Sequence, residues 1–196
     1  MVNWIFYREN LKRLTQGLKT IGELKMFGVI SKCWKRIKWK IRITFIKVVY
    51  RNSIDLKWSC RIAGSVKFRI NGRGKIVLGD NVELRENVIL NVTNGGCIDI
   101  GDRVFINDGC YINAREKITI EEDTMLGQSV KIYDHDHDYR SDDRKINFKQ
   151  SPVVVRKNVW ICSNVIVLKN TEIGGGKCCR SRDCCKKKHS GKYYVL

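Results

Sequence analysis

The chain reads as a mainly β protein: a parallel solenoid wound from hexapeptides, preceded by a basic helical or irregular segment. Three observations predict this. Short aliphatic residues recur every six positions as Val153, Val159, Val165 and Thr171, and two residues further on as Val155, Ile161, Val167 and Ile173. Earlier runs keep the spacing: Ile76, Val82, Val88; Ile98, Val104, Cys110; Ile118, Thr124, Val130. A period of six suits neither an amphipathic helix nor an alternating strand, and marks a repeat in which each hexapeptide forms one short face. Turn-forming triplets precede the aliphatics at a fixed phase, as in Gly79-Asp80-Asn81 before Val82 and Gly101-Asp102-Arg103 before Val104. Glu121-Glu122-Asp123 precedes Thr124 and Arg156-Lys157-Asn158 precedes Val159, so tight corners that demand positive φ recur in step. Finally, one long polar stretch, 133–152, interrupts the repeat.

Taken in order, residues 1–57 form a basic segment. The net charge of +18 is unevenly placed: residues 1–50 carry +10, residues 174–196 carry +6, and the part between is nearly neutral. Within 34–43, Trp34, Ile37, Trp39, Ile41 and Ile43 alternate with Lys and Arg. That pattern fits either a cap on the solenoid's end or a contact with an anionic membrane surface. Residues 58–173 form the solenoid, with three hexapeptides, about 18 residues, expected per triangular coil. Within it, 133–152 is expected to be an extruded loop that ends at Pro152, the single proline. Residues 174–196 depart from the repeat: the period asks for aliphatics at 177 and 179, and the chain supplies Lys177 and Cys179 in a basic, Cys-rich tail. A shift of reading frame would account for this, because Cys codons read one base later encode Val or Ala.

No stretch is long and apolar enough for a bilayer span, and Arg8, Lys12 and Arg13 interrupt any signal-peptide core, so a cytoplasmic location is expected, with attachment to the inner face of the membrane if the basic segment docks there. Basic ends also suit polyanions, but no nucleic-acid reading motif is present and no nucleic-acid partner is expected. Cys33, Cys60, Cys97, Cys110 and Cys162 are scattered singly and read as small hydrophobes.

The chemistry concentrates in the polar stretch. Two of the three histidines, His135 and His137, lie there among Asp134, Asp136 and Asp138. A neutral imidazole can take a proton near neutral pH, and a flanking carboxylate can orient it. The His-x-His pair also raises a metal reading, but the third histidine, His189, is in the tail, and no metal is expected.

Three segments carry a family resemblance: Val104-Phe105-Ile106-Asn107; Val130-Lys131-Ile132 followed five residues later by His137 and then Asp138; and Pro152-Val153-Val154-Val155-Arg156-Lys157-Asn158-Val159-Trp160-Ile161. Together they resemble the hexapeptide-repeat acyltransferases, in particular the branch of maltose, galactoside and colanic-acid O-acetyltransferases, over roughly residues 60–173. The resemblance implies a left-handed parallel β-helix, acetyl-CoA as acyl donor, a sugar or surface-polysaccharide precursor as acceptor, and a homotrimer with active sites between subunits. It makes His137 the general base by its offset from Ile132, with His135 as second choice, and gives Asn107 a place at the reacting centre from a neighbouring subunit. Trp160, Cys162 and Ser163 fall on the CoA side; the family usually has Gly where Cys162 stands. Asn113, one residue out of register with a family position, falls on the acceptor side, as do Asp134 and Asp138. The rival expectation is a catalytically impaired solenoid that binds membrane or polyanion through its basic ends.

Overall fold

The computed structural model describes residue 34, residues 37–176 and residues 178–179. The chain divides into two compact units, Met1–Ile41 and Arg42–Leu196. In the first, the described residues are helical, and Trp34, Ile37, Trp39 and Ile41 are exposed. In the second, residues 42–49 are helical and turn Ile43 and Ile46 into the core, while Arg42 Nη2 donates to the Val66 carbonyl at 3.0 Å.

The solenoid makes about five turns. The first coil contains β1 (Ile54–Leu56), β2 (Arg61–Ile62) and β3 (Lys67–Ile70). The second holds β4 (Lys75–Leu78), β5 (Glu83–Leu84) and β6 (Ile89–Val92), and the third β7 (Cys97–Ile100), β8 (Phe105–Ile106) and β9 (Tyr111–Ala114). The fourth holds β10 (Lys117–Ile120), β11 (Met125–Leu126) and β12 (Lys131–Tyr133), after which β13 (His135–His137) and β14 (Phe148–Gln150) leave the coil. The fifth has β15 (Val153–Val155), β16 (Trp160–Ile161) and β17 (Ile166–Val167), followed by β18 (Thr171–Ile173) and β19 (Cys178–Cys179). Corresponding strands stack in parallel into three sheets: A is β1-β4-β7-β10-β15-β18, B is β2-β5-β8-β11-β16-β19, and C is β3-β6-β9-β12-β17.

The six-residue period is the inward column. Ile76, Val82, Val88, Ile98, Val104, Cys110, Ile118, Thr124 and Val130 have no exposed surface, and Val153, Val159 and Val165 have at most 1%. Each such Val or Ile side chain stabilises the fold by ~1.5–3 kcal/mol relative to exposure. Thr124 is tolerated in the column because its hydroxyl donates to the Arg156 carbonyl at 3.0 Å. Cys110 acts as a small hydrophobe; burial pushes its thiol up to about 11, and Sγ donates to the Gly127 carbonyl.

The predicted corners hold residue by residue. Asn81, Arg103, Asp123 and Asn158, the last members of the four triplets, all have φ near 56–57°. Arg103 is bulky for that region, but Nε and Nη2 form a two-pronged bond to Asp123, the matching corner residue one coil on. Coils approach so closely that a Cβ on Gly127 would stand 2.6 Å from the Ser163 nitrogen, which is why that corner carries glycine.

Two expectations change. The coil is not a uniform 18 residues: Ile54 to Ile76 and Ile76 to Ile98 are each 22, Ile98 to Ile118 is 20, Ile118 to Val153 is 35, and only Val153 to Thr171 is 18. The variation sits at the corner between sheets C and A, in segments 71–74, 93–96, 115–116 and 134–152. The repeat also runs one strand past residue 173, since backbone ladder bonds do not depend on side-chain type and β19 pairs Cys178 with Trp160. The rest of the expected tail, Lys177 and residues 180–196, lies outside the described residues, as does Cys33.

Candidate active site

The polar stretch is not an irregular loop. β13 and β14 pair antiparallel, with His135 opposite Gln150, Asp136 opposite Lys149 and His137 opposite Phe148. Phe148 gives His137 an apolar cross-strand partner, which favours the hairpin. Side chains alternate between the faces of a strand, so His135 and His137 share a face and Asp136 takes the other. The rings confirm this: the Phe148 centroid lies 4.4 Å from that of His137 and 5.6 Å from that of His135. Over the same ring stands the Arg115 guanidinium, its Cζ 3.7 Å from the centroid.

The hairpin is anchored at its root by Asp134, whose side chain is wholly buried. Its carboxylate accepts the backbone N–H of Arg115 and Glu116 and faces His135 Nδ1 at 2.8 Å. Burial alone would raise its pKa; the bonds from His135 and the two backbone amides outweigh that and hold it below the ordinary carboxylate value. Expected on the acceptor side, Asp134 instead has both oxygens committed inside the protein. Asp138 is likewise engaged, by Lys149 Nζ at 3.0 Å and the Arg140 amide, and Lys149 holds its pKa low. Asp136 pairs with Lys169.

The two histidines differ in setting. His135 is nearly buried, with 11% of its side chain exposed, and its Nδ1–H points to an ionised carboxylate. His137 is exposed, and its Nδ1 lies 2.8 Å from the Arg144 carbonyl. A carbonyl oxygen only accepts, so Nδ1 carries a proton, and in the neutral ring the lone pair lies on Nε2. That is the tautomer a general base needs.

The remaining expected residues divide between two corners. Asn113, in sheet C, lies in register with Tyr133 and accepts from Asn91 Nδ2 at 2.6 Å. It is thus in the strand that leads to Arg115 and the histidine corner. Asn107, Cys162 and Ser163 lie at the corner between sheets B and C: Asn107 Oδ1 accepts the Asp108 amide, and Ser163 Oγ accepts that of Gln128. Trp160 is half exposed on sheet B, in register with Met125 and, one coil further, Phe105, which forms a partly apolar strip. Cys162 Sγ is 3.7 Å from Cys178 Sγ. The two corners stand a strand's length apart, ~13 Å for four residues, so one chain does not bring Asn107 to His137. Among the described residues no group of three or more His, Cys, Asp and Glu is arranged to hold a metal ion.

Arg115, Phe148 and Arg144 were not foreseen as site residues. Phe148 carried a signal, being one of three large hydrophobic residues between Asp134 and Pro152, with Tyr139 and Ile146; Arg144 acts through its carbonyl, which side-chain chemistry does not announce.

No protein-family model matches the chain. Among curated proteins, it is 29% identical over 144 residues to a protein of Escherichia coli strain K12 named for lipopolysaccharide biosynthesis O-acetyl transfer, WbbJ, with 68% of this chain and 69% of that one covered. It is 35% identical to Nodulation protein L of Rhizobium meliloti strain 1021 over 36% of this chain and 39% of the relative. It is 26% identical to the E. coli K12 protein named for colanic acid biosynthesis acetyl transfer, WcaF, over 50% and 52% respectively. Among solved structures, a hexapeptide-repeat-containing acetyltransferase of Vibrio cholerae O1 biovar eltor, complexed with acetyl coenzyme A, is 22% identical with a TM-score of 0.39, covering 59% of this chain and 57% of that one. With its coils of hexapeptides and these relatives, the chain is a homologue of the hexapeptide-repeat acyltransferases.

Proposed function

We propose that this protein transfers an acetyl group from acetyl-CoA to a hydroxyl of a sugar or surface-polysaccharide precursor, with His137 as general base. The observation that carries this is the His137 ring: exposed on the hairpin, with Nδ1 on the Arg144 carbonyl, which leaves Nε2 of the neutral ring to accept a proton. In the reaction, Nε2 takes the proton of the acceptor hydroxyl as the oxygen attacks the thioester carbonyl. The tetrahedral intermediate collapses with cleavage of the C–S bond, and the imidazolium returns its proton to the departing CoA sulfur. The base contributes about 10²–10⁴-fold in rate. His135, held by Asp134, then serves to fix the corner, and Asp134 is a positioning residue. The acetyl specificity draws on the relatives, which are named for O-acetyl transfer.

The separation of Asn107, Cys162, Ser163 and Trp160 from the histidine corner supports a site completed by a second copy. In a homotrimer, the B–C corner of one chain would face the C–A corner of the next, with Trp160 and its strip on the donor side and Asn113 on the acceptor side. Acetyl-CoA thiol release, measured with a panel of free and phosphorylated sugars, tests the activity. Release with at least one acceptor is expected; none with any acceptor contradicts it.

A membrane role has its own observation. Phe45, Val48, Val49 and Trp58 are all more than half exposed, with Lys47 Nζ 4.8 Å from the centre of the Trp58 ring. Aromatic and aliphatic side chains beside cations suit attachment to an anionic lipid surface, where a lipid-linked acceptor would be found. Salt-sensitive cosedimentation with phosphatidylglycerol vesicles is expected, and its absence contradicts this attachment.

A further inference from the structure

Arg115 occupies a position that a neutral acceptor does not explain. It begins the two-residue connection from β9 to β10, with its backbone N–H pinned by Asp134. Its side chain folds back over Phe148, the ring that also contacts both histidines. The guanidinium therefore stands across a single aromatic ring from the proposed base. Its Nε is buried and has no hydrogen-bond partner. Among the described residues no carboxylate pairs with it: Asp134 is committed to backbone amides and His135, Asp136 to Lys169, and Asp138 to Lys149. A guanidinium presents its donors as a planar fork that matches carboxylate and phosphate oxygens. The Phe148 face holds the fork in place, so little side-chain freedom is lost on binding.

We propose that Arg115 recognises an anionic group on the acceptor, so that the acceptor is an acidic saccharide with its carboxylate or phosphate close to the hydroxyl that is acetylated. This rests on reading the hairpin corner as the acceptor site. The test is calorimetric titration of the full chain with glucuronate and galacturonate, glucose 1-phosphate and N-acetylglucosamine 1-phosphate, and neutral glucose and galactose, for the wild type, Arg115→Met and Arg115→Lys. Thiol release from acetyl-CoA is measured in parallel. At least one acidic sugar is expected to bind about tenfold or more tighter than its neutral counterpart. Arg115→Met should erase that preference, Arg115→Lys should keep part of it, and the KM for acetyl-CoA should stay constant. Which acidic arm binds tells carboxylate from phosphate. The inference is overturned if no acidic sugar binds, if neutral sugars bind as well, if the preference survives in Arg115→Met, or if Arg115→Met raises the KM for acetyl-CoA instead. Acidic sugars that bind through Arg115 while no acceptor releases thiol would uphold the anion site and sink the acetyltransferase reading. Thiol release with neutral acceptors alone would do the reverse. Circular dichroism and melting of both variants show that the coil is intact.

Discussion

The corner from sheet A to sheet B and the corner from sheet C back to sheet A obey opposite rules. At the first, the connection is four residues in every coil from 79–82 to 156–159, and its third residue always has positive φ. Side chains there tie neighbouring coils together, as Asp102 Oδ1 accepts the amide of Asp80 in the preceding coil at 2.7 Å. At the second, the connection shrinks from 71–74 and 93–96 to 115–116 and then expands to 134–152. The constant corner fixes the register of the inward column, so the variable corner can change length without moving a core residue. The proposed acceptor site draws on the corner that is free to vary: Arg115 comes from its shortest connection and both histidines from its longest.

This contrast can be broken by deletion. Removing Asp102 from the constant corner shifts each later column residue out of step and should abolish the cooperative thermal transition. Shortening the hairpin between Tyr139 and Lys145 should move Tm by no more than about 4 °C, the shift of ~1 kcal/mol for a chain of this size, while acetyl transfer is lost. Equal damage from both would mean that the two corners do not differ in kind.

Truncation in the column comes next. Ile118 is fully buried between Ile98 and Val153 in sheet A, so Ile118→Ala should cost ~2–5 kcal/mol by denaturant unfolding. A loss below ~1 kcal/mol would show that the coils relax around the cavity and are less rigid than their spacing implies.

A smaller effect lies within the variable corner. Asp134→Asn keeps one acceptor oxygen but cannot hold both backbone amides and His135, and should cost ~1–3 kcal/mol near neutral pH. Because the folded carboxyl titrates below its unfolded value of about 4, its contribution is fully present above that value and is lost as the pH falls through the lower, folded one. Wild type and Asp134→Asn should therefore converge in stability at acid pH; a gap that is constant with pH would remove the carboxylate from the account.

Much of the fold was legible because a period of six exposes the inward column directly, and positive-φ corners leave Asn, Asp and Gly in fixed phase. The changing coil length was also written in the sequence, in the jumps from Val88 to Ile98, Cys110 to Ile118 and Val130 to Val153, each of which marks the same corner. The proposed base could be picked out of the sequence because His137 keeps the offset from Ile132 that the family resemblance asks for. The burial of Asp134 was not, since a solvated and an anchoring aspartate look alike in sequence and only the folded chain brings the Arg115 and Glu116 amides to it. Nor was the meeting of Arg115 with Phe148, which requires the antiparallel register of a hairpin whose pairing follows no repeat.

The central claim is that the hairpin delivers His137 as the base for acetyl transfer. It is tested most directly by kcat for acetyl-CoA thiol release in His137→Ala and His135→Ala, with an acceptor that the wild type uses. A fall of about 10²–10⁴-fold is expected in His137→Ala and a smaller fall in His135→Ala. Near-wild-type turnover in His137→Ala, with activity lost in His135→Ala, would contradict it and make the buried His135–Asp134 pair the catalytic one.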